Sequence, residues 1–588
     1  MLTIVAAKRA QKTASAQLDL LAKPLRPAAT PTAKPETPVA PPAAPPAPRP
    51  VKLARRATAE SMATRQRDIS VSEFFTKNRH LLGFDSPAKA LLTTVKEAVD
   101  NSLDACEEAG ILPEIHVEIV ELAENRHRVV IQDNGPGIVK AQAPKVFGKL
   151  LYGSKFHRLR QSRGQQGIGI SAAAMYGQLT TGKPVVITSK TRPGQPAHHF
   201  EIVIDTAKNA PVIVKDEALE WAPDHGTRVE IELESTYKGG RRSADEFLEL
   251  VAIANPHATI GYQPPKDRPA VRYERVTDEL PREPEEIKPH PYGVELGALA
   301  QILKESSSRT LRGALCEEFC RVTPKVADEL CALAKVKPAA KPKALAPQEI
   351  ERLHKAIPQV RIFTPPASCV VPIGEDLLRK GLEREIRADF YATCTRPPSV
   401  YRGNPFAVEA GLAFGGELRA ATDEDEPDAG PAEGEAPIRL MRFTNRAPLQ
   451  YQPGACAIFR GVVETNWRQY GLSQPRGALP LGPMVLIVHI ASVWVPFTSE
   501  SKEAVAHYDE IVKEIKLALR EVGRRLHAFL RHRAHDAHEA KRRSIFELYI
   551  PEVSSALESL TKVERAKTAA LLQKLAGRYT GAEEATEA

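Results

Sequence analysis

The sequence predicts an α+β, multidomain fold, and three stretches carry that prediction. Residues 95–105 read as a helix with Glu97 and Asn101 four positions apart. Residues 129–138 read as an apolar strand that runs into an Asp-Asn-Gly-Pro-Gly turn. Residues 162–174 read as a glycine-rich loop that opens a helix of small residues. Further along, residues 292–357 form a helical block, and the chain turns mixed α/β from about residue 361. A long, basic helical pattern then occupies residues 501–535.

The first helix has clear ends. Ser86 suits the N-cap and Pro87 the first helical position, while Gly110 stops the run. Leu92, Val95, Val99 and Cys106 fill one face. Glu97 and Asn101 stack on another, because residues four apart on a helix are neighbours. A carboxylate can activate a water, and an amide oxygen can hold Mg²⁺, a hard ion. Both serve phosphoryl transfer from a nucleotide. Asp100 points about 100° away from this pair, so its part is either salt-bridging or direct.

In the second stretch Asp133 sits at a strand end, where a carboxylate can accept the amino group of an adenine. Gly135 and Gly137 can take positive φ or let a ligand approach the backbone. The plain alternative is an ordinary turn between strands. In the third stretch Gly164, Gly167 and Gly169 offer backbone N–H groups and a helix N-terminus to phosphates. No Gly-Lys-Ser/Thr follows them, so this is not the lysine-containing phosphate loop. Residues 225–233 add a turn that feeds an alternating strand.

These four boxes, in this order and spacing, resemble the GHKL ATPases, the superfamily of gyrase B, the large heat-shock chaperones, histidine kinases and MutL. Residues 74–115, 163–184 and 252–258 are similar, more closely, to the B subunits of type IIB DNA topoisomerases, the topoisomerase VI group. The resemblance runs from about residue 69 to the mid-500s. It implies a GHKL (Bergerat) ATPase α/β sandwich, a helix-two-turn-helix domain, and an α/β transducer domain with a long C-terminal helix. It implies ATP and Mg²⁺ as ligands, with Glu97 as general base and Asn101 as the Mg²⁺ ligand. Asp133 would read the adenine with Thr227 as helper, and Gly135 and Gly137 would shape its pocket. Gly164, Gln165, Gln166, Gly167, Ile168 and Gly169 would cover the phosphates. Lys502 matches the transducer lysine that reaches the ATP site. An ammonium there stabilises charge developing on the terminal phosphate, and ties the domain angle to that phosphate.

Composition is compatible with this picture. The chain has 588 residues, enough for several domains. Its 81 Lys plus Arg against 73 Asp plus Glu give +8, a mildly basic balance that suits nucleic acid where the charge clusters. Seven cysteines without a Cys-x-x-Cys point to a reducing compartment and away from zinc. Cys316, Cys320 and Cys331 read as buried structural thiols. No apolar run reaches the length of a membrane span. The expected location is cytoplasmic and nucleoid-associated, with organellar or nuclear import left open.

The expected segments are a disordered Pro/Ala-rich tail (1–66), the ATPase domain (67–264), a linker with the helix-two-turn-helix domain (265–360), the transducer (361–500), a stalk helix with a partner-docking segment (501–550) and a helical tail (551–588). The helix-two-turn-helix domain reads either as a nucleic-acid contact or as packing alone. Residues 423–428 form an acidic insert expected to be a solvated loop. Three stretches are candidate DNA contacts: Lys238, Arg241 and Arg242 in a basic turn; the basic run 157–163, which leads into the glycine loop; and Trp467, Arg468 and Tyr470, which combine cation and aromatic. No Toprim-type acidic motif is present, so cleavage is assigned to a partner, the tyrosine-bearing A subunit. The remaining partner expectations are double-stranded DNA, a self-dimer through the ATPase domain, and an A2B2 heterotetramer. The competing readings are a MutL-like clamp and a chaperone-like ATPase.

Overall fold

The computed structural model describes residues 59–64, 69–153, 158–164, 167–266, 268–419 and 436–579. Gln165, Gln166, the acidic insert at 423–428, the last nine residues and all of the expected tail except 59–64 lie outside the described residues. The chain divides into two units, 1–68 and 69–588. In the first, the described part is helix α1 (Ala59–Ala63).

The second unit begins with α2 (Val71–Lys77) and α3 (Pro87–Glu108), the helix that carries Glu97 and Asn101. Ser86 caps α3 by accepting a hydrogen bond from Lys89 N at 3.4 Å, Pro87 takes the first position, and Gly110 follows the helix with φ 69°. Strands β1 (Glu114–Ala123) and β2 (Arg126–Asp133) come next. They are followed by α4 (Ala143–Gly148) and α5 (Gly169–Thr181). Then come β3 (Val185–Lys190), β4 (Ala197–Asp205), β5 (Ala210–Leu219), β6 (Gly226–Glu234), α6 (Ala244–Ala254), β7 (Thr259–Gln263) and β8 (Val271–Tyr273).

The eight strands form one sheet in the order β5-β4-β3-β6-β2-β1-β7-β8. Only β1 and β7 run parallel; the other pairs are antiparallel. Helices α3, α5 and α6 cover the sheet, and Val95, Val99, Leu103, Ile131, Met175 and Phe247 are buried between the layers. The β2–β6 register pairs Asp133 with Thr227, two of the expected adenine contacts.

A cluster of four helices follows: α7 (Leu296–Glu305), α8 (Leu311–Glu318), α9 (Pro324–Ala334) and α10 (Pro347–Ala356). Thr310 and Thr323 cap α8 and α9, accepting from Gly313 N at 3.1 Å and Val326 N at 3.4 Å. The cluster has its own core, with Leu299, Leu311, Leu330 and Leu353. Cys331 is buried there, whereas Cys316 and Cys320 are half-buried.

The second sheet begins after α11 (Glu375–Glu385). Its strands are β9 (Phe390–Thr395), β10 (Ser399–Tyr401), β11 (Asn404–Phe414), β12 (Arg439–Thr444), β13 (Ala447–Pro448) and, after α12 (Ala457–Glu464), β14 (Met484–Ser492). The order is β10-β11-β14-β12-β13, with β9 on β11. β14 is buried along its whole length, so it reads as a continuous apolar run rather than an alternating one. On one face α11 packs against both this sheet and α6: Leu250, Ile253, Leu378, Leu382 and Phe443 share a core. That contact ties the two sheets together. The other face is covered by α12 and α13 (Asp509–Thr561), and the chain closes with α14 (Arg565–Tyr579).

The long helix differs from expectation at both ends. It starts at Asp509, because residues 498–505 form a loop in which Thr498 N donates to Ala504 O at 2.9 Å and Lys502 has φ 52°. It also runs unbroken through Pro551 to Thr561. A proline inside a helix lacks the amide that would bond the preceding turn. Here α14 packs back against α13, and Ile550 and Ser554, on either side of Pro551, are buried.

Candidate nucleotide-binding site

A cavity of about 560 Å³ opens between α3, the β2–β6 edge, the start of α5 and the loop before α13. Glu97, Asn101, Asp133, Gly137, Gly164, Gly167, Ile168, Gly169, Thr227 and Lys502 all line it. Residues spread over the chain by more than 400 positions thus meet in one place. Gly135 lies just behind, its N–H donating to Asp133 Oδ1 at 2.9 Å.

Asp133 forms the floor. Ser102 Oγ donates to its Oδ2 at 2.8 Å, and Thr227 N donates to Oδ1 at 3.1 Å. Burial pushes its pKa up despite these bonds. A carboxylate offers about four acceptor sites, so after three donors one site remains, on Oδ2. That is the site an amino group of a base would need. Ser102 escaped the sequence reading; the signal was its place directly after Asn101 on the same helix. Gly137 takes φ 70°, and a Cβ there would overlap the Lys190 carbonyl, so glycine is required.

At the opposite end α3 meets the glycine loop. A Cβ on Gly169 would overlap the Glu97 carboxylate, and a Cβ on Gly164 would stand 3.7 Å from Asn101 Oδ1. Acid, amide and the N-terminus of α5 therefore converge, as phosphate chemistry requires.

Lys96 and Asp100 stand behind Glu97, Lys96 half-buried and Asp100 buried. Burial pushes Lys96 down, and burial pushes Asp100 up to about 6 against the pull of Lys96. Asp100 Oδ1 has no hydrogen-bond partner among the described residues. The sequence reading missed Lys96, although its i,i+4 spacing to Asp100 was a signal.

Lys502 is buried and comes in from the second sheet, its Nζ donating to Arg163 O at 3.4 Å. Its neighbour Glu503 pairs with Lys89 of α3, which also lies 3.2 Å from Asp85 and 5.2 Å from the Tyr451 ring centre. Arg163 itself is held by Asp104 and Glu107, each at 2.7 Å, and by Asn255. His257 Nε2 lies 2.7 Å from Glu107. These partners come from α3 and from the end of α6, far from Arg163 in sequence, and no local pattern announces them.

Burial pushes Glu107 up, but the Arg163 guanidinium and His257 outweigh it and hold the carboxyl well below its usual range. Glu107→Gln is expected to cost about 3 kcal/mol at neutral pH, since it leaves a buried guanidinium under-paired. A depressed folded pKa stabilises above the unfolded value and loses that contribution as pH falls. The stability gap between wild type and variant should therefore narrow below about pH 4. Denaturant titrations at neutral and acid pH would show a gap that stays constant if the reading is wrong.

The three candidate DNA stretches fare differently, and the basic run 157–163 loses Arg163, which is buried in its ion pairs with Asp104 and Glu107. Lys238, Arg241 and Arg242 are exposed on the turn between β6 and α6. Trp467 and Tyr470, however, are buried, which corrects their assignment as base-stacking residues. Residues 467–470 form a 3₁₀ turn, where positions three apart share one side. That side faces the core: Trp467 Nε1 donates to Val462 O at 2.9 Å, and Tyr470 packs on Gly523 of α13. Arg468 stays at the surface and donates to Gln474 O at 2.7 Å. Beside it, Lys516, Arg520, Arg524 and Arg531 of α13 line a basic groove of about 1080 Å³.

Comparison with known proteins gives the same picture in two segments. Residues 87–237 match the family of histidine kinase-, DNA gyrase B- and HSP90-like ATPases, and residues 365–543 match the topoisomerase VI B subunit transducer. The B subunit of type 2 DNA topoisomerase 6 from Methanosarcina barkeri is 50% identical over 473 residues, 80% of this chain and 74% of that protein. Its counterpart from Archaeoglobus fulgidus is 47% identical over 470 residues, 80% of this chain and 75% of that protein. The one from Natronomonas pharaonis is 34% identical over 86% of this chain and 84% of that protein. The nucleotide-binding ATPase domain and the transducer thus occur together in one chain, which belongs to the family of type 2 DNA topoisomerase 6 B subunits.

Proposed function

We propose that this chain is the ATP-hydrolysing member of an ATP-dependent type II DNA topoisomerase. The observation that carries the reading is that Lys502, a transducer residue, reaches into the cavity that holds Glu97 and Asn101. Asp133 accepts the adenine amino group on its remaining lone pair, with Thr227 beside it. Gly164, Gly167, Ile168 and Gly169 offer backbone donors and a helix N-terminus to the phosphates. Mg²⁺ takes one or two protein oxygens plus phosphate oxygens, and Asn101, whose Oδ1 faces Gly164 across the cavity, would be the protein ligand. When bound, Mg²⁺ would offset charge on the phosphates.

Glu97 takes the proton of the attacking water. Lys502 brings positive charge to the terminal phosphate and so makes the transducer position depend on it. Two copies of the chain close on a duplex through their ATPase domains. Lys238, Arg241, Arg242, Arg468 and the α13 groove contact its phosphates without reading sequence. The far part of α13 exposes Ile545, Phe546, Leu548 and Tyr549, an apolar surface for the A subunit, which breaks the DNA. The assembly is an A2B2 heterotetramer that passes one duplex through another and relaxes or decatenates DNA.

The test is ATP turnover by the purified chain, alone, with plasmid, and with plasmid plus the tyrosine-bearing subunit. DNA-stimulated turnover, with relaxation only when that subunit is added, is the expected result. Turnover indifferent to both would overturn the reading.

A further inference from the structure

The transducer reaches the nucleotide site at a second point. Strands β12 and β13 are joined by Asn445 and Arg446, with φ 46° and 65°, between the paired residues Thr444 and Ala447. A two-residue connection with both φ positive is a type I′ hairpin turn, in which the second position usually belongs to glycine. Arginine there places backbone strain in the turn, and surrounding contacts must hold it.

They do so from behind. Ser492 N donates to Asn445 Oδ1 at 2.8 Å, and Asn445 Nδ2 donates to Ser492 O at 2.9 Å. Arg446 N donates to His489 Nε2 at 3.0 Å, and His489 Nδ1 faces Glu409 at 2.7 Å.

On its other side the turn grips the segment that leads into the phosphate-binding glycines. Asn445 Nδ2 donates to Ser162 O at 2.9 Å. Asn255 bridges the two domains, donating to Arg446 O at 3.2 Å and accepting from Arg163. Lys502 takes the next carbonyl, Arg163 O. Two consecutive carbonyls just before Gly164 are thus held by two transducer side chains.

The two holds differ in kind. Lys502 is a charged group on a flexible stem, suited to follow a phosphate. Asn445 is a short amide, buried, with its oxygen and nitrogen both engaged. Asparagine also tolerates the left-handed backbone that the turn demands. Residues 162–164 cannot shift without carrying this turn along or breaking its bond.

We propose that Asn445 is a positioning residue that couples the phosphate-binding segment to the transducer, in parallel with Lys502. The inference rests on the topoisomerase reading above. The test uses the complete enzyme with its A subunit and reads strand passages per ATP hydrolysed, a ratio that does not depend on the fraction of enzyme folded. Asn445→Gly keeps the left-handed turn and removes the amide. Asn445→Asp keeps an acceptor for Ser492 N and removes the donor. Both are expected to lower the ratio about tenfold, the scale of one buried hydrogen bond, with ATP turnover changed less than the ratio. An unchanged ratio in both variants, whatever the turnover, overturns the coupling role. A wild-type enzyme that hydrolyses no ATP would instead overturn the topoisomerase reading, and this inference with it.

Discussion

Glu97→Gln is expected to lower ATP hydrolysis by two to four orders of magnitude, roughly the contribution of a positioned general base, while nucleotide still binds. Glutamine has the shape of glutamate and fits against Gly169, but it cannot take a proton. The proposed adenine contacts, Asp133 and Thr227, are held by Ser102 and the β2–β6 pairing and are untouched. Gly169→Ala should give a loss of similar size by another route. Its Cβ would overlap the Glu97 carboxylate and stand 2.9 Å from Glu97 Cγ, so the acid must swing away from the start of α5. The φ of Gly169 is not positive, so backbone strain plays no part. Steady-state hydrolysis together with binding of a fluorescent nucleotide separates the two effects. If Glu97→Gln kept turnover within tenfold of wild type, another group would have to be the base. Asp100, buried next to the pair, would then be the first to examine.

Trp467→Ala is expected to destabilise the transducer by about 3–5 kcal/mol, the usual cost of emptying a large aromatic site in a core. The indole is fully buried among Val462, Tyr470 and the inner face of α13, and its N–H is satisfied. DNA affinity of the folded variant should stay at the wild-type level. Arg520→Ala and Arg524→Ala should behave the opposite way. Stability should hold, while binding to any duplex weakens and the salt dependence becomes shallower. Chemical denaturation and DNA binding at two salt concentrations cover both arms. A Trp467→Ala protein of normal stability with weakened DNA binding would restore the stacking role that burial removes.

Much of the site was legible because its signals are local. Ser86, Pro87 and Gly110 mark the ends of α3 through rules that span one helical turn. Glu97 and Asn101 share a face because four residues bring a helix back on itself. Gly137 betrays a backbone that no side chain allows. Other features escaped for the reverse reason. Arg163 looked like part of a basic run until α3 supplied Asp104 and Glu107. The Trp467–Tyr470 pair looked like a nucleic-acid contact, because spacing tells which residues share a side and not which way that side faces. The start of α13 was misplaced because the loop holding Lys502 has helix-compatible residues, and only its contacts with α3, through Lys89 and Glu503, and with α12, through Ala457 N and Val505 O, impose another conformation.

The sequence by itself therefore determined the chemistry: an acid and an amide on one helix, an aspartate at a strand end, glycines before a helix, and a lysine ahead of a long basic helix. These follow from backbone periodicity and from what each side chain can donate or accept. Only the tertiary structure decided which of them meet. Strand order sets Thr227 beside Asp133, and the shared core of α6 and α11 brings the second sheet against the first. Lys502 and Asn445 thereby reach carbonyls more than 280 positions away. Contacts over such separations depend on how whole layers pack, and no local pattern along the chain encodes them.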